Sequence, residues 1–186
     1  MSQIVQFDDT LATDLEIVGG KGASLARLAQ ADFPVPQGFS ITTEAYRTFM
    51  RENDLTEKIR SIVSGLSYDD LDDLEQRTRQ IRTLIESSVF QAELHSGVER
   101  AYRGLGDDLR VAVRSSATAE DLPEASFAGQ HDTYLDVKTI DGIAAATKQC
   151  WASLWTARAT SYRQTQGIDH FDVDMGVVIQ QMVDSD

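Results

Sequence analysis

Residues Val113–Leu135 read VRSSATAEDLPEASFAGQHDTYL. The stretch begins as the end of a short apolar run, LRVAV (Leu109–Val113), which has the β-branched composition of a buried strand. Arg114 follows that run directly, and small and hydroxyl residues broken by Pro123 and Gly129 follow the arginine. The text then turns strand-like again over Asp132–Val137. There Thr133, Leu135 and Val137 alternate with Asp132, Tyr134 and Asp136. Two strands joined by a long connection of little bulk are expected, with Arg114 at the end of the first strand.

Downstream, Ile140, Ile143, Thr147, Cys150, Trp151 and Leu154 mark an amphipathic helix. It is expected to continue through ARATSYRQ (Ala157–Gln164) until Gly167 ends it, which makes Trp151 and Trp155 an i, i+4 pair that packs together. MGVVIQQMV (Met175–Val183) reads as a last strand. Because a core strand at a terminus normally turns into a partner, the natural protein is expected to continue beyond it.

Upstream, VGGKGAS (Val18–Ser24) is a glycine-rich turn, and a helix is expected to start immediately after it. Pro34 and Pro36 close that unit. GFSIT (Gly38–Thr42) reads as a short buried strand. Thr42 or Thr43 then caps a helix running to about Arg51, with Glu44 in its first turn. Residues 53–106 look helical throughout: Leu71, Leu74, Ile81, Leu84 and Ile85 recur at three-to-four spacing. Ser67 and the aspartates that follow it suit a helix N-terminus. Helices first and strands interleaved with a helix afterwards give an α+β, or mixed α/β, class.

The chain has 186 residues, a size that can bury a core, and a formal net charge of −13. So acidic a chain lacks the basic face that non-specific nucleic-acid binding needs. A local basic pocket for a phosphorylated small molecule is compatible with it. A single cysteine, Cys150, allows no internal disulfide. The N-terminus has no signal-peptide pattern, and no apolar run reaches membrane-spanning length. The cytoplasm is the default expectation, with no membrane partner.

Three places carry candidate chemistry, each with a plainer reading. Lys21 in VGGKGAS reads as a phosphate contact at a helix start, or as a solvated lysine on an ordinary glycine turn. Arg114 offers a planar donor fork for phosphate oxygens, or pairs structurally with Glu120 or Asp121. The SFAGQHDTYL segment either folds over a phosphate, with Gly129 donating its backbone N–H and Thr133 a hydroxyl, or is a plain hairpin connection. His95, His131 and His170 lack metal-ligand spacing and read as surface or loop residues. Cys150 reads as a core residue.

Four motifs in order carry a resemblance: VGGKGASLARL, FPVPQGFSITTEAY, VAVRSSATAEDLPEASFAGQHDTYL and CWASLWTARATSYRQTQGIDH. Together they resemble the N-terminal ATP-binding domain of the phosphoenolpyruvate synthase, rifampin phosphotransferase and pyruvate phosphate dikinase family. The likeness covers nearly the whole chain and is weakest between Asn53 and Arg110. It implies that residues 1–186 are the first part of a divergent ATP-grasp domain, with a helical segment and a small, mainly antiparallel sheet. It also implies a mobile phosphohistidine domain and an acceptor domain further along. In such proteins ATP phosphorylates a carrier histidine, which passes phosphate to pyruvate or to a rifamycin-type antibiotic, with release of AMP and phosphate.

Carried onto this sequence, the resemblance makes Lys21 and Arg114 phosphate-binding cations. It places Gly129 and Thr133 in the loop over the ATP phosphates and makes Gln180 a nucleotide contact. It puts the Mg ligands downstream, so no metal site is expected in this chain and no turnover from it alone. A stand-alone nucleotide-binding module is the alternative of another class.

Overall fold

The computed structural model describes residues 2–106, 109–118 and 132–183. One five-stranded sheet organises them, in the order β1-β2-β5-β3-β4, with every neighbouring pair antiparallel. The strands are β1 (Ile4–Gln6), β2 (Gly38–Ile41), β3 (Val111–Ala117), β4 (Thr133–Val137) and β5 (Met175–Gln181). The helices are α1 (Leu15–Gln30), α2 (Thr43–Glu52), α3 (Leu55–Val63), α4 (Leu71–Ser87), α5 (Ala92–Leu105), α6 (Ile140–Ser153) and α7 (Ala157–Gln166). This is the expected mixed α/β architecture with a small antiparallel sheet.

The helix starts follow from side chains that satisfy otherwise orphaned N–H groups. Thr42 accepts from the Ala45 N–H, Thr139 from Gly142, Thr156 from Ala159, and Asp70 from Asp72 and Asp73. Gly167, at φ 68°, closes α7 as expected.

Period two along the strands divides the sheet into two faces. Phe39, Ile41, Val111, Val113, Val177 and Ile179 point into the main core with residues of α2 to α6. Trp151 sits in that core beside Phe49, Tyr46 and Phe90, at ring separations of 4.7, 5.8 and 6.0 Å. The opposite face carries α1 and a smaller apolar cluster of Val5, Ala12, Val18, Ala23 and Ala26.

Several expectations are corrected. Arg114 lies within β3 and not at its end, because the strand continues through the small residues Ser115–Ala117, which pair along β5. The helix from Ile140 does not run on to Gly167: it ends at Ser153, and Thr156 caps a new helix. That break turns Trp155 toward His170 and Phe171, at 5.8 and 5.6 Å, while both tryptophans stay in the same core and adjoin Tyr46. The simple alternation in β4 also fails. The register shifts between Val111 and Val113, and Asp136 takes a left-handed φ of 59°. This bulge turns Tyr134 and Val137 toward the core and leaves Leu135 exposed. Leu71 sits at the solvated first turn of α4, 75% exposed, where Leu74, Ile81 and Ile85 are buried. His170 lies in a loop as expected, between α7 and β5, but is half-buried there and bonded on both ring nitrogens.

Candidate functional site

The glycine-rich segment is a kink inside α1. Gly19 takes φ 73° and ψ 175°, and helical backbone continues on both sides of it. The kink lies on the sheet backbone to backbone. A Cβ at Gly19 would stand 1.9 Å from the Ser116 carbonyl oxygen, and one at Gly176 would stand 2.6 Å from the Val18 carbonyl oxygen. The Gly22 N–H donates to Ser116 Oγ at 3.0 Å, a buried bond. The close approach that these glycines allow is therefore made to β3 and β5. Its consequence is that Lys21, between Gly19 and Gly22, is held over the end of β3 on the face opposite the main core.

Arg114 projects from that same face, two residues before Ser116. Its cross-strand neighbours are Val178 of β5 and Thr133 of β4. Thr133 is exposed and Arg114 half-buried, so the arginine and the hydroxyl stand side by side at the accessible end of the sheet. Gln180, two residues beyond Val178, is nearly buried. Its Oε1 accepts from Arg114 Nη1 at 3.4 Å, and its Nε2 donates to the Pro36 carbonyl at 3.4 Å. Lys21, Arg114, Thr133 and Gln180 thus share one face. Gly129 lies outside the described residues, as do Glu120, Asp121 and His131.

The serines after Arg114, expected to shape a loop or make minor phosphate contacts, tie this corner together from within β3. Ser116 seats the α1 kink. The Ser115 N–H and Oγ both meet the Asp132 carbonyl, at 3.3 Å each, joining β3 to the start of β4. Thr118 exchanges hydrogen bonds with the backbone of Asp174, whose carboxylate accepts from Arg47 Nε at 2.9 Å. No single-residue signal marks Asp174 or Ser116 in the sequence, because their roles depend on strands far apart in the chain.

Cys150 is buried as expected. Burial, then the nearby Asp132 charge, pushes its thiol well up, with Lys21 pulling the other way. The thiol is thus a neutral core group, and the Lys21 charge lies within electrostatic reach of the β3–β4 side of the sheet. His95 meets Asp141 at 3.2 Å. Among the described residues no group of three or more His, Cys, Asp or Glu converges on a metal position. No helix of the described residues is long and apolar enough to cross a membrane.

A cation-lined, glycine-seated sheet face of this kind is what a phosphate-binding domain needs, and comparison with known proteins agrees. The family model of the pyruvate phosphate dikinase AMP/ATP-binding domain matches residues 15–186. The chain belongs to this family. The family's domain is ATP-grasp-like and binds ATP. Among similar proteins, a probable phosphoenolpyruvate synthase of Methanocaldococcus jannaschii is 45% identical over all of this chain and 16% of its own length. The phosphoenolpyruvate synthase of Deinococcus radiodurans is 44% identical over 100% of the chain and 24% of its own length. That of Aquifex aeolicus is 43% identical over 98% and 22%. The chain spans about a quarter or less of the length of these relatives.

Proposed function

We propose that this chain is the ATP-phosphate-holding lobe of a phosphoenolpyruvate synthase, residues 1–186 forming the first part of its nucleotide-binding domain. The observation that carries the reading is the shared sheet face, with Lys21 fixed by the docked kink of α1, Arg114 raised from β3, and the Thr133 hydroxyl directly beside Arg114. ATP with Mg supplies the transferred phosphoryl group and its leaving group. Lys21 and Arg114 hold the phosphate oxygens and stabilise charge as it moves between them, the main resource in this chemistry. Thr133 donates its hydroxyl to the same phosphates, the contact expected of Gly129 lying outside the described residues. Gln180, with its amide engaged by Arg114 and Pro36, orients the Arg114 fork where it was expected to contact the nucleotide.

The acceptor is a carrier histidine outside this chain, and the phosphate passes to pyruvate. That the similar proteins are phosphoenolpyruvate synthases by name favours the synthase over the rifampin phosphotransferase branch. The Mg ligands and the phosphohistidine domain lie beyond these residues, so the chain alone has no turnover.

The test is Arg114→Ala in the full-length protein, with AMP formation and phosphohistidine measured against ATP. A fall of about 10²–10³-fold is expected with the circular dichroism spectrum unchanged. Arg114→Lys restores little, since an ammonium does not reproduce the planar fork. Wild-type rates in Arg114→Ala would overturn the assignment.

A further inference from the structure

Away from the sheet face, α7 holds a cation that the fold encloses completely and that pairs with no carboxylate among the described residues. Arg163 is 0% exposed. Its Nε donates to His170 Nδ1 at 3.0 Å, so Nδ1 presents a lone pair. The proton of the neutral imidazole then sits on Nε2, which is 2.7 Å from the Tyr68 hydroxyl. The Arg163 Cζ lies 5.2 Å from the centroid of the Trp155 ring. Among the described residues neither Nη1 nor Nη2 has a hydrogen-bond partner. Thr160, one turn earlier on the same helix face, buries Oγ1 without a partner as well. Trp155 Nε1 faces the Tyr46 hydroxyl without closing a hydrogen bond.

The charge itself is intact. Burial pulls Arg163 down to about 10, which leaves it protonated at neutral pH. The groups that act on it are two phenols, Tyr46 and Tyr68. Burial raises both, so they stay neutral. Burial, followed by the Arg163 charge, takes His170 down to about 4, so the imidazole is neutral too. Of the carboxylates whose charge acts on the cluster, Asp174, which acts on Tyr46, is committed to Arg47, and Asp169, which acts on His170, is exposed and accepts from the Phe171 N–H.

An ionised guanidinium enclosed without a counter-charge, with two nitrogens unbonded, is costly unless a further group completes it. The completing group must accept hydrogen bonds and carry negative charge. Water meets the first need, but it must also place two hydrogens of its own, and of the unpartnered atoms around Arg163 only the Thr160 hydroxyl can accept one. We propose that Arg163 is a binding site for one small inorganic anion of the halide class, held by Nη1 and Nη2 with Thr160 Oγ1 as the third donor. A cleft of about 140 Å³ is lined by Tyr46 and His170, two of the groups next to the guanidinium, while Arg163 itself lies behind them and does not line it. The site ties α7 to the His170 segment and is separate from the Lys21–Arg114 face.

The experiment is thermal unfolding of the chain in sodium chloride and sodium bromide against sodium gluconate at one ionic strength. A bromide-soaked crystal examined for anomalous scattering accompanies it. The expected result is a saturable rise of about 2–4 °C in either halide. It comes with an anomalous peak within hydrogen-bonding distance of the Arg163 Nη atoms, and with no halide dependence in Arg163→Met. If Arg163→Met does not fold, Thr160→Val weakens the halide response, and the crystal of the unaltered chain decides. Coincident melting curves in all three salts, or a water without anomalous signal at that position, overturn the proposal.

Discussion

On one face of the sheet, side chains meet side chains: Phe39, Ile41, Val113, Val177 and Ile179 interlock with α2 to α6 around Trp151. On the other, α1 is laid down backbone to backbone, with Gly19 on Ser116 and Val18 on Gly176. The first arrangement fills volume and excludes water. The second removes bulk, and so leaves a polar corner where Arg114 and Thr133 stay accessible beside the docked helix. The core face should therefore respond to deletions and the α1 face to additions.

The largest effect expected is from Gly19→Ala. The new Cβ would lie 1.9 Å from a carbonyl oxygen in β3, at a backbone φ of 73° that alanine rarely adopts. The two nearest atoms, the Ser116 carbonyl oxygen and carbon, are backbone and cannot swing away. A loss of about 5 kcal/mol in urea unfolding is expected, near the limit that a single substitution reaches. A cost below about 1 kcal/mol would show that the kink can lift off the sheet and that the face is not rigidly seated.

On the core face the matching test removes bulk. Trp151→Ala takes out a fully buried indole in contact with three rings and is expected to cost about 4 kcal/mol by the same measurement. Small-molecule rescue by indole would sharpen the contrast, because a deletion can be refilled and an intrusion cannot.

A smaller effect separates the aromatic periphery from both faces. Folded, His170 is held down to about 4 by burial and then by Arg163, whereas in the unfolded chain it titrates near about 6.5. Between those values the unfolded chain binds the proton and the folded chain does not. Stability therefore falls as pH is lowered from about 6.5 towards 4. For a half-buried ring the loss is about 1–2 kcal/mol after solvent screening. His170→Gln flattens the unfolding profile in the upper half of that window, above the range where carboxylates dominate.

The two faces also differ in how far the sequence discloses them. The core face is written in periodicity: GFSI, VAV and MGVVI announce buried strands, and Leu74, Ile81 and Ile85 announce a helix face. Capping by Thr42 and the stop at Gly167 are equally local, so they too are legible. The α1 face is not local. Glycine at 19 reads as a loop signal, and only the partner at Ser116, nearly a hundred residues away, makes it a docking point. The same holds for the strand through Arg114, whose small residues look like loop until β5 pairs with them, and for the bulge at Asp136. The candidate site was legible as residue types, Lys21 and Arg114 in glycine- and serine-rich text. Its assembly on one face was visible only through strand register.

Gly167 is the control that decides what the Gly19 result means. It has nearly the same positive φ, 68°, at the end of α7, and its N–H bonds back to the Arg163 and Gln164 carbonyls. Nothing lies within 4 Å of an added Cβ there. Gly167→Ala therefore isolates the backbone penalty of a left-handed residue, about 1 kcal/mol, from any collision. Gly167→Asn should cost less still, since asparagine tolerates that conformation. With both variants measured by urea unfolding, the difference between Gly19→Ala and Gly167→Ala is the contact with Ser116 together with the harsher backbone of Gly19, whose ψ of 175° lies outside the αL well that Gly167 occupies at ψ 24°. Should the two glycines cost the same, backbone strain would explain both, and the seating of α1 against β3 would lose its claim to hold Lys21 in place.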